Sequence, residues 1–154
     1  MTPDVKRQFD ALIVTPSTVQ YVAGPRMSGL TTALMQAATG WARGGFRVVY
    51  VTDDTDVHHT WRSMREVDPA GWQLVSLLAG PVAALATTIG RRAYGMRADV
   101  VLVDLPVHTP ALFAALLGTF GDACFVFSID TGTADRPDRP ASDRSALSAI
   151  PPNA

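Results

Sequence analysis

Two glycines separated by four residues and followed by a pair of threonines are the feature that most constrains the fold of this chain. The stretch reads Gly24-Pro25-Arg26-Met27-Ser28-Gly29-Leu30-Thr31-Thr32. Its spacing is that of the loop G-x-x-x-x-G-K-[ST], in which backbone N–H groups surround phosphate at a helix N-terminus. Leucine stands at position 30, where that pattern has lysine. The stretch therefore predicts a phosphate cradle without the cation that normally reaches the β- and γ-phosphates.

The flanking residues predict the strand and the helix that such a loop requires. Residues 18–23 are β-prone, and residues 30–43 carry apolar side chains at helical spacing. The alternative is that the two glycines and the threonine pair form an ordinary turn between a strand and a helix. We therefore predict that the loop residues 24–32 bind ATP or ADP, and that the hydroxyl of Thr31 contacts Mg²⁺.

Strands and helices alternate along the rest of the chain. Helices are predicted at 4–13, 61–66, 81–94 and 109–120, and strands at 46–51, 72–77, 99–104 and 123–129. This alternation predicts a three-layer α/β P-loop fold with a mostly parallel sheet over residues 1–133. Residues 134–154 change to Asp, Arg, Pro and Ser, which predicts a disordered tail.

Carboxylates follow two of the predicted strands. Asp53, Asp54 and Asp56 come after strand 46–51, and Asp104 closes strand 99–104. Open α/β sheets bind ligands at the carboxyl ends of their strands. An apolar strand ending in Asp is the Walker B pattern, whose carboxylate holds Mg²⁺ beside the loop threonine.

Two roles follow for these carboxylates. Asp104 and Thr31 are the candidate metal ligands, and Asp53 or Asp54 is the candidate for orienting a water, so Asp53, Asp54 and Asp104 form the candidate catalytic set. The alternative for the group after strand 46–51 is that its carboxylates cap the following helix.

Composition and charge argue against several partners. The net charge is −1, and the tryptophans at 41, 61 and 72 lack an evident basic patch, so we expect them to pack in a core or an interface and expect no nucleic-acid partner. No apolar run approaches the ~18 residues of a membrane span. We therefore expect no membrane insertion and a cytoplasmic location.

Cys124 is predicted to be a core thiol, and His108 to be exposed.

Taken together, these segments resemble the C-terminal RecA-like ATPase domain of the type II secretion and type IV pilus motor family, which includes the pilus retraction ATPases. The family loop GPTGSGKTT shares its first Gly-Pro, its Ser-Gly and both threonines with residues 24–32. The family's acidic box, ITIEDPIE, corresponds to residues 49–56. An ungapped register places its Glu-Asp pair at Thr52 and Asp53, and a shift of one residue places it at Asp53 and Asp54.

The chain departs from this family at the residues that carry its chemistry. The Walker B segment DVILIGEIRD corresponds to residues 99–108, which puts Leu105 at the family's glutamate and Asp104 at its glycine. The last box, FGTLHTN, puts Asp130 at the family's histidine. Together with Leu30, these changes imply a degenerate domain with little or no hydrolysis.

The resemblance implies a subunit or regulator that binds ATP or ADP with Mg²⁺, and that works with protein partners or as a homo-oligomer of the secretion or pilus type. A second hypothesis is an active ATPase in which Arg26 or a neighbouring subunit supplies the missing charge. A third is a protein-interaction scaffold that no longer binds nucleotide. The residues alone leave open whether the chain is an enzyme.

Overall fold

Five parallel strands form the centre of the structure, a computed structural model that describes residues 1–132. In chain order the elements are α1 (Pro3–Asp10), β1 (Val19–Gly24), α2 (Leu30–Arg43), β2 (Val48–Thr52), α3 (Val57–Val67), a 3-10 turn (Trp72–Leu74), β3 (Val75–Ala79), α4 (Val82–Arg92), β4 (Val100–Asp104), α5 (Pro110–Thr119) and β5 (Cys124–Asp130). The strand order is β1-β5-β4-β2-β3. The tail predicted at 134–154 lies outside the described residues.

Helices cover both faces of this sheet. Successive residues of β2, β4 and β5 belong alternately to two hydrophobic cores, as expected for strands buried on both sides. One core joins the sheet to α4 and α5 through Leu85 and Leu116, and the other joins it to α2 and α3 through Leu34 and Met64. The expected three-layer α/β fold is confirmed, and its arrangement is consistent with a RecA-like core.

The element boundaries differ from the prediction mainly between residues 57 and 79. Helix α3 begins well before the predicted residue 61, because the Asp56 carboxylate caps it by accepting the His59 N–H at 3.1 Å. The strand predicted at 72–77 begins only at Val75, since its ladder with β2 starts there, opposite Val48. Helix 30–43 has the predicted bounds, and Cys124 is buried as predicted.

A side chain of α1 forms hydrogen bonds with backbone groups at the outer edge of β1. The Gln8 amide donates to the Ala23 carbonyl at 2.7 Å and accepts the Ala23 N–H at 2.8 Å. The Gln20 amide of the strand does the same with the backbone of Ile13. Because β1 is the outermost strand of the sheet formed by residues 1–132, the Gln8 contacts cover the Ala23 N–H and carbonyl, which would otherwise be open to pairing with another chain.

We predict that Gln8→Ala lowers the free energy of unfolding by about 1–2 kcal/mol, because two hydrogen bonds to the backbone of β1 are lost. Urea titration followed by circular dichroism measures this change. Gln36→Ala on the exposed face of α2 is the matched control, with an expected change within about 0.5 kcal/mol. Equal effects of the two substitutions would contradict a role for Gln8 at the strand edge.

Candidate functional site

The carboxyl ends of β1, β2, β4 and β5 surround one open cleft of about 510 Å³, the phosphate-loop cleft. Two groups of predicted site residues meet here: the phosphate-loop residues and the acidic candidates. The lining contains Gly24, Pro25, Arg26, Met27, Gly29, Leu30, Thr31, Thr32, Asp53, Asp54 and Asp104. Ser28, the remaining predicted loop residue, is buried beneath the loop. The topology thus brings together residues that are up to 80 positions apart in the chain.

The loop between β1 and α2 has the conformation that its glycines allow. Gly29 adopts a left-handed φ of 84° immediately before the first residue of α2. Gly24 has no room for a side chain, since a Cβ there would lie 2.6 Å from Ser28 Oγ. Met27, at the apex, also has a positive φ of 64° and is fully exposed. The backbone therefore folds closely around the buried Ser28.

The start of α2 presents polar groups suited to an anion. In the first hydrogen bond of the helix, the Ala33 N–H donates to the Gly29 carbonyl at 2.8 Å. The N–H groups before Ala33 therefore have no intrahelical partner. Ser28 Oγ lies beneath the loop rather than in the cleft lining, and it has no hydrogen-bond partner among residues 1–132. The unpaired backbone N–H groups and the positive end of the helix dipole favour negative charge, so a phosphate group fits the start of α2.

The loop has no lysine at position 30, so the cation in its cleft is a different residue. Leu30 packs partly on the core shared by α2 and α3 and also lines the cleft. Arg26 is the one cation among the described residues that line the cleft. Its side chain is 81% exposed, and its Nε lies 3.9 Å from the Asp130 carboxylate, beyond hydrogen-bond distance. An exposed contact of this kind holds Arg26 weakly.

Asp104 is held in a hydrogen-bonded network at the end of β4. The fully buried Tyr50 hydroxyl donates to its Oδ2 at 2.7 Å, and the Ser128 hydroxyl lies 3.3 Å from its Oδ1. Burial raises the pKa of Asp104, and the carboxylate of Asp53 raises it further, while hydrogen bonds from Tyr50, Thr31 and Ser128 oppose the shift. Burial, together with the Asp104 charge, also raises the pKa of Tyr50 well above its usual value. A cation beside Asp104 would stabilise its charged form.

The oxygens of Thr31 and Asp104 fit the magnesium site that the sequence predicts. Hydroxyl and carboxylate oxygens are the protein ligands that Mg²⁺ takes beside a bound phosphate. Among residues 1–132 there is no cluster of three or more His, Cys, Asp or Glu side chains placed to hold a metal without such a phosphate. A metal ion here would therefore depend on phosphate oxygens to complete its ligands.

The two acidic candidates after β2 have different surroundings. Asp54 Oδ2 contacts His59 Nδ1 at 2.8 Å and accepts from the Thr60 hydroxyl at 3.2 Å, while Oδ1 accepts the Asp56 N–H at 2.9 Å. The hydrogen bond with His59 is the main cause that lowers the pKa of Asp54. Asp53 is exposed in the cleft. Asp54 and Asp56 thus organise the start of α3, as the capping alternative anticipated, and Asp53 faces the cleft.

Sequence reasoning did not find Tyr50, Ser128 or the burial of His108. The expectation that His108 is exposed was wrong: the ring is half-buried against Phe127, with Nε2 donating to the Ser128 carbonyl, and burial lowers its pKa. Its Nδ1 has no partner within the described part of the chain. Ser128 carries a signal that could have been used, because it is a lone polar residue inside the apolar strand 123–129.

Comparisons with known proteins do not assign the chain to a family. Neither protein-family profiles nor curated proteins give a match to it. Among the helices that the structure describes, none combines the length and the apolar character needed to cross a bilayer. The relation to secretion and pilus motors and the cytoplasmic location therefore stay predictions.

We predict that Asp104→Asn raises the free energy of unfolding at pH 7 in the absence of nucleotide and Mg²⁺. The raised pKa means that the folded state disfavours the ionised form, so the stability contributed by Asp104 is present at low pH and is lost as pH rises through its folded pKa. The variant should therefore match the wild type at acid pH and exceed it at neutral pH. Urea unfolding from pH 3 to pH 8 measures the gap between them.

The exposed Asp10→Asn at the end of α1 is the matched control and should show no such gap. A difference between Asp104→Asn and wild type that is constant across pH would contradict the burial of a costly charge at this position.

Proposed function

We propose that this chain is a degenerate P-loop domain that binds ATP or ADP weakly, with little or no hydrolysis, and acts as a subunit or regulator related to secretion and pilus motor ATPases. The observation that carries the proposal is the loop from Gly24 to Gly29. It leads directly into α2, whose N–H groups before Ala33 have no intrahelical partner, and it lines the same cleft as Asp104. We further propose that its partners are proteins or other copies of the chain, in the cytoplasm.

Each part of the cleft has a role in this proposal. The N–H groups at the start of α2 bind phosphate oxygens. Thr31 and Asp104 hold Mg²⁺, which supplies positive charge beside the phosphates. The hydroxyls of Tyr50 and Ser128 orient the Asp104 carboxylate by hydrogen bonding.

Weak hydrolysis follows from the charges around the cleft. Leu30 gives no cation to compensate charge on the transferred phosphoryl group. Asp54 is engaged with His59 and Thr60, which leaves Asp53 as the exposed carboxylate that could contact a water. The residues that line the cleft therefore support binding better than turnover.

One observation favours the second hypothesis, an active ATPase. Arg26 reaches the same cleft and is only weakly held by Asp130, so its guanidinium is able to turn toward a phosphate. In that case release of inorganic phosphate from Mg-ATP would be detectable and would be lost in Arg26→Gln. Without turnover in the wild-type chain, this hypothesis fails.

We predict that Mg-ADP raises the Tm of the wild-type chain. A ligand that binds only the folded state adds ~2.7 kcal/mol at ~100 times its Kd. Thr31→Ala should reduce the Mg²⁺-dependent part of this shift, because it removes the hydroxyl predicted to contact the metal. Thr87→Ala on α4, which is on the opposite face of the sheet from α2, is the control and should keep the full shift. Differential scanning fluorimetry with ADP, with and without Mg²⁺, measures both.

The three functional hypotheses give different results in this experiment. A shift with ADP and no phosphate release from ATP supports the degenerate binder. A shift together with phosphate release supports the ATPase. The absence of any shift up to millimolar nucleotide would reject both and leave the protein-interaction scaffold.

We predict that Leu30→Lys tightens ADP binding about 10- to 150-fold, since a charge-assisted contact to phosphate contributes on the order of 1.5–3 kcal/mol. Leu117→Lys on α5 is the matched control, because Leu117 is an exposed leucine away from the cleft. Isothermal titration calorimetry compares the two variants with wild type. If Leu30→Lys binds ADP no better than Leu117→Lys, the loop is not a phosphate cradle in this chain.

A further inference from the structure

A second polar cleft, of about 420 Å³, lies on the outer side of α3. Its lining consists of His58, Trp61, Arg62, Arg65 and Trp72, and it contains no carboxylate. These five residues form the Trp61–Trp72 cleft. Its composition contrasts with that of the phosphate-loop cleft, where carboxylates outnumber cations.

Helical periodicity places four of these residues on one side of α3. Positions 58, 61, 62 and 65 are three or four residues apart, so they form a continuous stripe. The opposite side of the helix, with His59, Thr60 and Ser63, borders the region beside the phosphate loop. The Trp61–Trp72 cleft is therefore separate from the proposed nucleotide site.

A hydrogen-bonded turn positions the fifth residue, Trp72. The Asp68 carboxylate accepts the N–H groups of Ala70 and Gly71 at 3.0 and 2.9 Å, and its other oxygen accepts Arg43 Nε at 2.7 Å. Gly71 has no room for a side chain, since a Cβ would lie 2.8 Å from Asp68 Oδ2 and 3.0 Å from Arg43 Cγ. This turn holds the indole of Trp72 against α3.

The two indoles form an edge-to-face aromatic pair. Their ring centroids are 5.8 Å apart with an interplanar angle of 61°. Both side chains pack partly against the core shared by α2 and α3, and both also line the cleft. Aromatic faces at the surface bind bases by stacking, largely independently of base identity.

The arginines beside the indoles are available to an anion. Arg62 and Arg65 are exposed, and neither belongs to an ion pair formed within residues 1–132. Guanidinium groups bind phosphate with two parallel hydrogen bonds. Aromatic surface flanked by cations that form no ion pair within residues 1–132 is complementary to a ligand that carries both phosphates and bases.

We infer that the Trp61–Trp72 cleft binds single-stranded nucleic acid, with bases stacked on the indoles and phosphates contacted by Arg62 and Arg65. A duplex is disfavoured because its bases are already stacked on one another. An acidic peptide would use the two arginines but not the aromatic pair. This assignment reverses the expectation from net charge, because the folded chain concentrates cations next to tryptophans on one side of α3.

Fluorescence anisotropy with a labelled single-stranded 12-mer of mixed sequence tests the inference, with a 12-base-pair duplex and a poly-glutamate peptide as competitors. Two phosphate contacts predict a slope of about −1.4 for the logarithm of the binding constant against the logarithm of salt concentration. Arg62→Gln with Arg65→Gln should bring this slope near zero. Trp61→Leu should weaken binding about 5- to 100-fold with the slope retained.

Two further variants act as controls. Arg91→Gln, an exposed arginine on α4, should bind like wild type. Arg26→Gln tests whether the phosphate loop holds the oligonucleotide instead. Because Trp61 also packs on the core, the double arginine variant, checked for wild-type circular dichroism, decides the outcome if Trp61→Leu does not fold.

Three results would overturn the inference. In the first, the wild-type chain does not bind the 12-mer at 50 mM salt. In the second, Arg26→Gln loses binding while the double arginine variant still binds. In the third, poly-glutamate displaces the labelled 12-mer at least as well as the unlabelled 12-mer does. The last result would assign the cleft to acidic protein segments.

Discussion

Burial of the central strands on both faces is the constraint on which the rest of this structure depends. Because β2, β4 and β5 lie between two layers of helices, their side chains are almost entirely apolar, and polar groups collect where the strands end. Tyr50 is the informative exception. Its hydroxyl is fully buried and needs a partner, and it finds the Asp104 carboxylate on the neighbouring strand. The same contact that satisfies the core thus orients a carboxylate toward the cleft.

The electrostatics of the cleft follow from this arrangement. The start of α2 favours an anion, yet Asp53, Asp54, Asp104 and Asp130 line the same cleft with Arg26 as the single cation among the described residues. Nucleotide phosphates entering this cleft would meet repulsion from the carboxylates unless a divalent cation accompanies them. Leu30, at the position where the phosphate-loop pattern has lysine, adds no cation and makes this dependence stronger. The proposed nucleotide binding is therefore expected to be weak and to depend on magnesium.

Helix α3 connects two regions of opposite character. Asp54 and Asp56 fix its start at the edge of the phosphate-loop cleft. Its outer side carries Arg62 and Arg65 beside Trp72. The net charge of −1 for the whole chain does not reveal this separation, in which aspartates line one cleft and arginines the other. Both clefts include a segment that a glycine allows to pack closely, at Gly24 and at Gly71.

Local pattern determined much of the fold and the composition of the candidate site. The glycine spacing at 24–29, the period of residues 30–43 and the apolar runs ending in Asp53 and Asp104 predicted the α/β class and the strand ends that meet at the cleft, because burial and helical periodicity act over neighbouring residues. Tertiary structure alone decided the partners of Asp104, the division of roles between Asp53 and Asp54, and the meeting of Trp72 with Arg62 and Arg65. Those contacts join residues from different elements, and their geometry depends on strand order and helix packing, which spacing along the chain does not encode.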